Sequence, residues 1–491
     1  MIKRTSTQPS VLRILSSLGL GMFLAALDTT VMSTAALTIS QDFGHVSSQN
    51  WLLTSYLLAA LITTPIYGRE SDRWGRRPLF LIALVLFGLG SLLAAIAPSF
   101  LILVVARTIQ GLGAGGLFSL AFAVIADILA PRERGRYILF FVVIFGSSSI
   151  LGPLIGGIIA AQERILGISG WRWIFIINVP LVLIALVRAL MDLHTKQEFS
   201  THRFDYLGVA LLGLSILALL LGVQVIKMHA FELEQIFLAS IFIVSFVAFV
   251  LVERRRRDDA LIPIHFFRNR LFRVTVMSSA VSGAGMLVAI ALVPLSIQIV
   301  HFKSAAMAGV ILLAAGVGNL LGSGIGSRAL SNSNQDRWLM TSGLTFMSAG
   351  FIGLAIMENI TNSIISLTLI GVGSGLITQF TSVVAPSALG NKYRGAGSSL
   401  NTFFRQLGGL LGVGLSLAIV FLWWKVPENF ASSNLATQMV SISKLMQSER
   451  LEFATALKPI YVTMALFLLF MALLSLSLPK AAIESNGAER K

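Results

Sequence analysis

Fourteen apolar stretches can be drawn along the chain, each ended by charged or turn-forming residues and each about long enough to cross a hydrocarbon core of about 30 Å. Lipid offers no water to backbone N–H and C=O groups, so every such stretch must be a helix. Composition agrees. Of 491 residues, 55% are hydrophobic and 12% charged, with a mean hydropathy of +0.84. A soluble chain of this length needs more charge on its surface. The expected fold class is an all-α integral membrane protein with fourteen transmembrane helices.

The charged residues fall unevenly in alternate loops. Of 37 Lys and Arg, 26 lie in the N-terminal tail, the loops after even-numbered spans and the C-terminal tail, against seven in the opposite loops. This bias predicts that both termini are cytoplasmic, and only an even number of spans preserves the alternation. It also argues against a nucleic-acid partner for the formal charge of +15, because the positive residues occupy short loops rather than one soluble face. The chain has no cysteine, which removes disulfides and thiolate metal sites. The six histidines form no ligand cluster with carboxylates, and no Gly-x-x-x-x-Gly-Lys-Ser/Thr loop occurs. No metal, cofactor, ATP-driven machinery or enzymatic activity is expected. The first apolar segment lacks a small-residue cleavage pattern and reads as a retained helix.

The expected organisation is a cytoplasmic tail (1–11), a six-helix bundle (12–192), a linker carrying two further helices (193–271), a second six-helix bundle (272–478) and a cytoplasmic tail (479–491). The segment 425–458 is polar and is expected on the outer surface. The basic run Arg254-Arg255-Arg256-Arg257 reads as a topology anchor against anionic lipid. Six plus six helices is the plan of transporters built from two related bundles.

The strongest local motif is Gly68-Arg69-Glu70-Ser71-Asp72-Arg73-Trp74-Gly75-Arg76-Arg77, between spans two and three. A solvated basic loop accounts for the arginines but not for two glycines seven apart with an acid between them. Gly68 lets the end of a helix approach a neighbour, and Gly75 permits a tight turn. Further strings are Leu27-Asp28-Thr29-Thr30 in span one, Arg107-Thr108-Ile109-Gln110-Gly111 in span four and Gly152-Pro153-Leu154-Ile155-Gly156-Gly157 in span five. Asn178 stands near span six, and Asn401 and Arg405-Gln406-Leu407-Gly408-Gly409 in span thirteen.

Together these strings resemble the major facilitator superfamily, in particular its fourteen-helix drug:proton antiporter branch. The chain departs from that branch at Ser33 and Ala36-Leu37, where the family continues with Asn and Leu-Pro, and at Ser148, where a glycine is usual. The resemblance implies a proton-coupled exporter in the bacterial inner membrane, whose partners are protons, a small-molecule substrate and the bilayer. It implies that Gly68, Asp72, Arg73, Gly75 and Arg76 form a cytoplasmic latch, with Asp72 and Arg73 holding the outward-open state. It further implies that Arg107 serves proton translocation and that Gly152, Pro153, Gly156 and Gly157 help seal against proton leak.

Asp28 is the only acid well inside any span. A carboxylate at mid-bilayer costs about 2.5–3.5 kcal/mol even on insertion scales. It is either a permanently paired structural charge or a proton carrier. Arg107 lies at a comparable depth and is its natural partner, and the alternative for Arg107 is a tie between helices. Gln110, Asn178, Asn401 and Arg405 are weaker candidates for a substrate cavity. One intramembrane acid committed to the proton, and two arginines, favour neutral, anionic or singly positive substrates over dications. Dedicated export or import of a metabolite or siderophore, and a transport-inactive sensor, are the alternatives.

Overall fold

The computed structural model describes residues 11–45, 48–49, 51–160, 162–193, 204–224, 233–301, 303, 305–332, 336–356, 359–423 and 447–478. Contacts between residues divide the chain into two units. Unit 1 comprises Met1–Leu129, Phe140–Phe204 and Asn391–Leu400; unit 2 comprises Ala130–Leu139, Asp205–Gly390 and Asn401–Lys491.

Unit 1 holds α1 (Val11–Asp42), α2 (Trp51–Trp74), α3 (Arg76–Ala95), α4 (Phe100–Ile128), most of α5 (Pro131–Ala160) and α6 (Arg172–Asp192). Its centre is α4, which packs on α1, α2 and α3, while α6 packs on α1 and α3. Ser99 caps α4 by accepting from the Ile102 N–H, which satisfies one of the donors a helix start leaves free. A two-stranded hairpin, β1 (Arg164–Ile165) and β2 (Ile168–Ser169), was not anticipated from the sequence. Leu166 and Gly167 turn it with φ of 53° and 82°, the two positive values that a tight hairpin turn needs.

Unit 2 holds α7 (Tyr206–Gln224), α8 (Leu233–Arg256), α9 (Arg270–Ile299), α10 (Ala305–Asn332), α11 (Asp336–Ala355), α12 (Ile360–Ala388), most of α13 (Arg394–Trp423) and α14 (Gln447–Ser475). Here α12 is central, packing on α9, α10 and α11, and α14 packs on α9 and α11. The α7–α8 pair is tied at its foot by two buried acids. Asp205 accepts from the N–H of Gly208 (2.8 Å) and lies 3.2 Å from Arg256, and Glu253 accepts from the N–H of Ile262 (2.8 Å). The basic run is thus partly engaged by protein.

The expected bundle boundaries and the contact units differ at two helices. The first turns of α5 cluster with unit 2, and the first turns of α13 cluster with unit 1. The last helix also begins at Gln447, twelve residues before the span drawn from hydropathy. Its polar start, rich in Glu, Ala and Leu, is good helix material, and a helix need not end where its apolar stretch does. Most of the polar 425–458 segment lies outside the described residues.

Among the described residues, fourteen long α-helices occur, and twelve are long and apolar enough to cross a membrane by length and composition. Helices α5 and α7 fall outside that count, α7 contributing only the shorter apolar stretch Tyr206–Gly222. Length and composition of the described residues therefore support twelve candidate spans.

An internal repeat underlies the two centres. Gly111, Gly113 and Gly115 of α4 recur 260 residues later as Gly371, Gly373 and Gly375 of α12. Gly111 and Gly115 lie against the backbone of α2 at Tyr56 and Ala60, and Gly113 against α3 at Ala83 and Phe87. Gly371 and Gly375 lie against the backbone of α10 at Ala315 and Asn319, and Gly373 against α11 at Gly343 and Met347. Glycine on both faces of the central helix lets the neighbouring backbones approach, which is how helices associate in lipid. Gly375→Val drives a branched side chain into the backbone of Asn319 and is expected to lower the yield of monodisperse protein by about fivefold or more. Gly157→Ala meets nothing within 4 Å and should leave that yield unchanged; fluorescence-detected size exclusion compares the two.

Candidate functional site

In the interior of unit 1, α1 and α4 bring Asp28 and Arg107 together. The carboxylate is 1% exposed and the guanidinium 0%, and Arg107 Nη1 lies 2.5 Å from Asp28 Oδ2. Gln110, one turn along α4 from Arg107, serves both charges. Its Oε1 accepts from Arg107 Nη1 at 2.6 Å and its Nε2 donates to Asp28 Oδ1 at 2.8 Å. Ser91 of α3 accepts a second bond from Gln110 Nε2 at 2.9 Å, and Asn178 of α6 donates to Asp28 Oδ1 at 3.3 Å. Arg107 Nε donates to the Leu52 carbonyl at 3.0 Å, and the guanidinium lies 4.4 Å from the centroid of the Tyr56 ring. Gln110 and Asn178, candidates for a substrate cavity by sequence, are therefore placed on the carboxylate itself. Tyr56 and Ser91 carry no sequence signal of their own.

A second cluster sits at the other end of α2. The motif expected as a loop is almost wholly helical. Helix α2 continues to Trp74, and only Gly75, at φ 89°, separates it from α3. Asp72 accepts from the N–H groups of Gly395 (3.0 Å) and Ala396 (2.9 Å), the first turn of α13. A carboxylate at a helix N-terminus meets both free donors and the positive end of the helix dipole. Arg76 lies 2.7 Å from Asp72 and 2.8 Å from Asp127, at the end of α4, and donates to Ser71. The sequence expectation gave Asp72 and Arg73 a shared role without saying which arginine meets the acid. The structure puts Arg73 3.8 Å from Glu70, with its side chain one-third exposed, because the reversal at Gly75 turns Arg76 back onto Asp72. Gly68 touches Gly395 and Ser399, the neighbour that its lack of a side chain admits.

The glycines of span five face α1. Gly152 lies against Thr30 and Val31, and Gly156 against Val31 and Thr34, within two turns of Asp28. Nothing approaches Gly157, and the side chain of Pro153 lies outside the described residues. In unit 2, Arg405 and Asn401 lie on α13 beside α9, where the Ser279 hydroxyl donates to the Asn401 carbonyl (3.3 Å) and Gly283 adjoins Arg405. Sequence reading missed Arg134. It is 1% exposed and donates to Ser387 Oγ at 2.8 Å and the Val383 carbonyl at 3.5 Å, at the end of α12. The missed signal was Arg134-Gly135 at the start of α5, which recurs 260 residues later as Arg394-Gly395 at the start of α13.

With this geometry in hand, the relatives can be weighed. The family model described as the Major Facilitator Superfamily matches residues 18–413. The chain belongs to the major facilitator superfamily. This transporter is 32% identical to Multidrug resistance protein 3 of Bacillus subtilis over 83% of its own length and 79% of the relative's. It is 28% identical to Multidrug transporter protein MdtP of the same organism, over 91% and 80%. Among solved structures it is similar to the human organic anion transporter MFSD10, with a TM-score of 0.63 over 95% of this chain and 100% of that one. At 15% identity that likeness speaks to the fold alone. Family and fold indicate a multi-pass membrane transporter rather than an enzyme.

The Asp72–Arg76 cluster makes a discriminating prediction for this transporter. Asp72→Asn replaces one acceptor oxygen by an N–H₂ group facing N–H donors and leaves Arg76 with Asp127 alone. Transport is expected to fall about tenfold, while abundance stays within about twofold. Arg73→Ala should leave most transport in place. Uptake assays normalised to protein amount in membranes check both.

Proposed function

We propose that this protein is a proton-coupled antiporter that exports small amphipathic compounds by alternating access, as the multidrug names of its relatives suggest. It crosses a bacterial inner membrane fourteen times, with both termini cytoplasmic. What supports proton coupling is the Asp28–Arg107 pair with its shared amide, Gln110. Breaking a buried ion pair by removing one charge ordinarily costs about 3–5 kcal/mol, because the other charge is left unanswered. Here the arrangement softens that cost. When Asp28 takes a proton, Arg107 keeps Gln110 Oε1, the Leu52 carbonyl and the face of Tyr56. The carboxyl keeps the amides of Gln110 and Asn178. Both protonation states therefore retain partners, which is what an exchangeable proton needs and a permanent structural pair does not.

The latch and the glycine face of α5 extend this reading. Asp72 and Arg76 hold the first turn of α13 in one conformational state and release it in another. Gly152 and Gly156 keep α5 tight on α1 beside the titrating acid, excluding water from it. A dedicated metabolite exporter uses the same machinery and differs only in substrate. A transport-inactive sensor is disfavoured, because it has no use for a carboxylate whose partners serve both protonation states.

Asp28→Asn tests the reading. The amide keeps the shape and one acceptor for Arg107 but cannot carry a proton. Uphill transport in proteoliposomes under an imposed pH gradient is expected to vanish, with substrate binding and downhill exchange preserved. Wild-type accumulation ratios in this variant would refute proton coupling through Asp28.

A further inference from the structure

The two units treat their intramembrane charges differently. In unit 1, Asp28 and Arg107 neutralise each other, and of their polar side-chain atoms only Arg107 Nη2 is buried without a hydrogen bond. In unit 2, Arg405 has no hydrogen bond or ion pair to any described residue. It lies eleven residues into α13, roughly 16 Å along the helix, enclosed by protein yet with part of its surface accessible. One turn earlier on the same face, Asn401 is 3% exposed and its Oδ1 has no partner. Gln379 of α12 is 0% exposed with neither amide atom bonded. The stem of Arg405 leaves α13 beside Gly283 of α9, where an added Cβ would meet the Arg405 backbone carbonyl and lie 3.0 Å from its Cγ. The internal repeat sharpens the contrast. Positions 107 and 110 of α4 correspond to Leu367 and Ile370 of α12, and positions 401 and 405 of α13 correspond to Phe141 and Phe145 of α5. Each unit is polar where the other is apolar.

We propose that unit 2 carries the substrate-recognition group of the transporter, Arg405 with Asn401 beside it, and that the substrate it recognises is a small amphipathic organic carboxylate. This rests on the export reading above. An unpaired guanidinium inside a membrane is costly and is retained where it meets water or a ligand. Its planar fork matches a carboxylate through two parallel hydrogen bonds. The free Asn401 oxygen accepts from a hydroxyl or amide N–H on the same molecule, which selects a carboxylate carrying a nearby donor. A dication at the same place would add like charge to an unneutralised arginine.

The test is equilibrium binding to the purified full-length protein in detergent, with three pyrene ligands matched in size: 1-pyrenebutyrate, its primary amide and its trimethylammonium analogue. The wild type is expected to prefer the butyrate. Arg405→Gln should weaken butyrate binding by about tenfold or more and amide binding by less than about twofold. Arg405→Lys should keep most of the preference. Asn401→Asp supplies an internal carboxylate one turn from Arg405 and should likewise weaken butyrate binding, so the result does not hang on one variant. The proposal is overturned if the wild type fails to bind the butyrate or prefers the trimethylammonium compound, or if Arg405→Gln shifts all three ligands alike. Binding needs no pH gradient. Failure of the Asp28→Asn coupling test would therefore leave the Arg405 result readable, and the converse also holds.

Discussion

A charge inside a bilayer must be answered by protein, by water or by cargo, because hydrocarbon gives it nothing. The interior of unit 1 is organised around that requirement. Asp28 on α1 is met by Arg107 and Gln110 on α4 and by Asn178 on α6, while Ser91 on α3 and Leu52 and Tyr56 on α2 complete the shell. Five helices are thereby joined by one polar knot. Much of their remaining contact in unit 1 is through small and apolar residues, which distinguish lipid-exposed from protein-exposed faces only weakly. The knot specifies which faces turn inward.

Repetition of backbone packing with divergence of polar chemistry describes the relation between the two units. The glycines at 111, 113 and 115 and those at 371, 373 and 375 make the same contacts with their respective neighbours. The Arg-Gly starts of α5 and α13 also correspond. Gly135 lies against Ser327 near the end of α10, as Gly395 lies against Gly68 near the end of α2. At that level the halves are one design used twice. The acid of the first latch has no acidic counterpart, however: the position 259 residues after Asp72 is Ser331. On the unit 2 side the connection to α5 runs through Arg134 and the carbonyl end of α12. One latch sets a carboxylate on a helix start and the other an arginine on a helix end, so both complement the dipole they meet.

Which parts of this were legible from the chain follows from how rare each signal is. Asp28 and Arg107 stood out because charges within apolar spans are few, and depth along two helices was enough to pair them. The residues of the Gly68–Arg77 motif were found, but not how they connect. Nothing in the string Asp72-Arg73 reveals that α2 stays helical to Trp74, that Gly75 reverses the backbone, and that Arg76 therefore returns to Asp72. Arg134, Asp205 and Glu253 were hidden for the opposite reason. They lie at span ends, where charged residues are ordinary, and the positive-inside bias already accounted for Arg134, so nothing in the sequence separates such a charge from one that ties backbone. The internal repeat was in plain view as two glycine triplets but needed the packing of α2 on α4 and of α10 on α12 to give it meaning. Helix boundaries at α14 escaped because hydropathy reports where lipid is, not where hydrogen bonding stops.

The Asp28–Arg107 pair and the Asp72–Arg76–Asp127 cluster lie at opposite ends of the same two helices. Leu52 and Asp72 lie 20 residues apart on α2, and Arg107 and Asp127 lie 20 apart on α4, about 30 Å in each case. Between those ends the two helices cross at Gly111 on Tyr56 and Gly115 on Ala60, with backbone against backbone. A seam that tight permits little sliding, since any shift drives main-chain atoms together. Helices α2 and α4 are therefore packed as one unit. Leu52 accepts from Arg107 at one end, and Arg76 bridges Asp72 to Asp127 at the other. A change in the hold of Arg107 on Asp28 acts on that unit at one extremity, while the grip of Asp72 on the start of α13 acts on it at the opposite one. Under the proposed proton coupling, a link between the two clusters needs no chain of intermediate switches. It needs a stiff pair of helices with the Asp28–Arg107 contact at one end and the Asp72–Arg76 contact at the other.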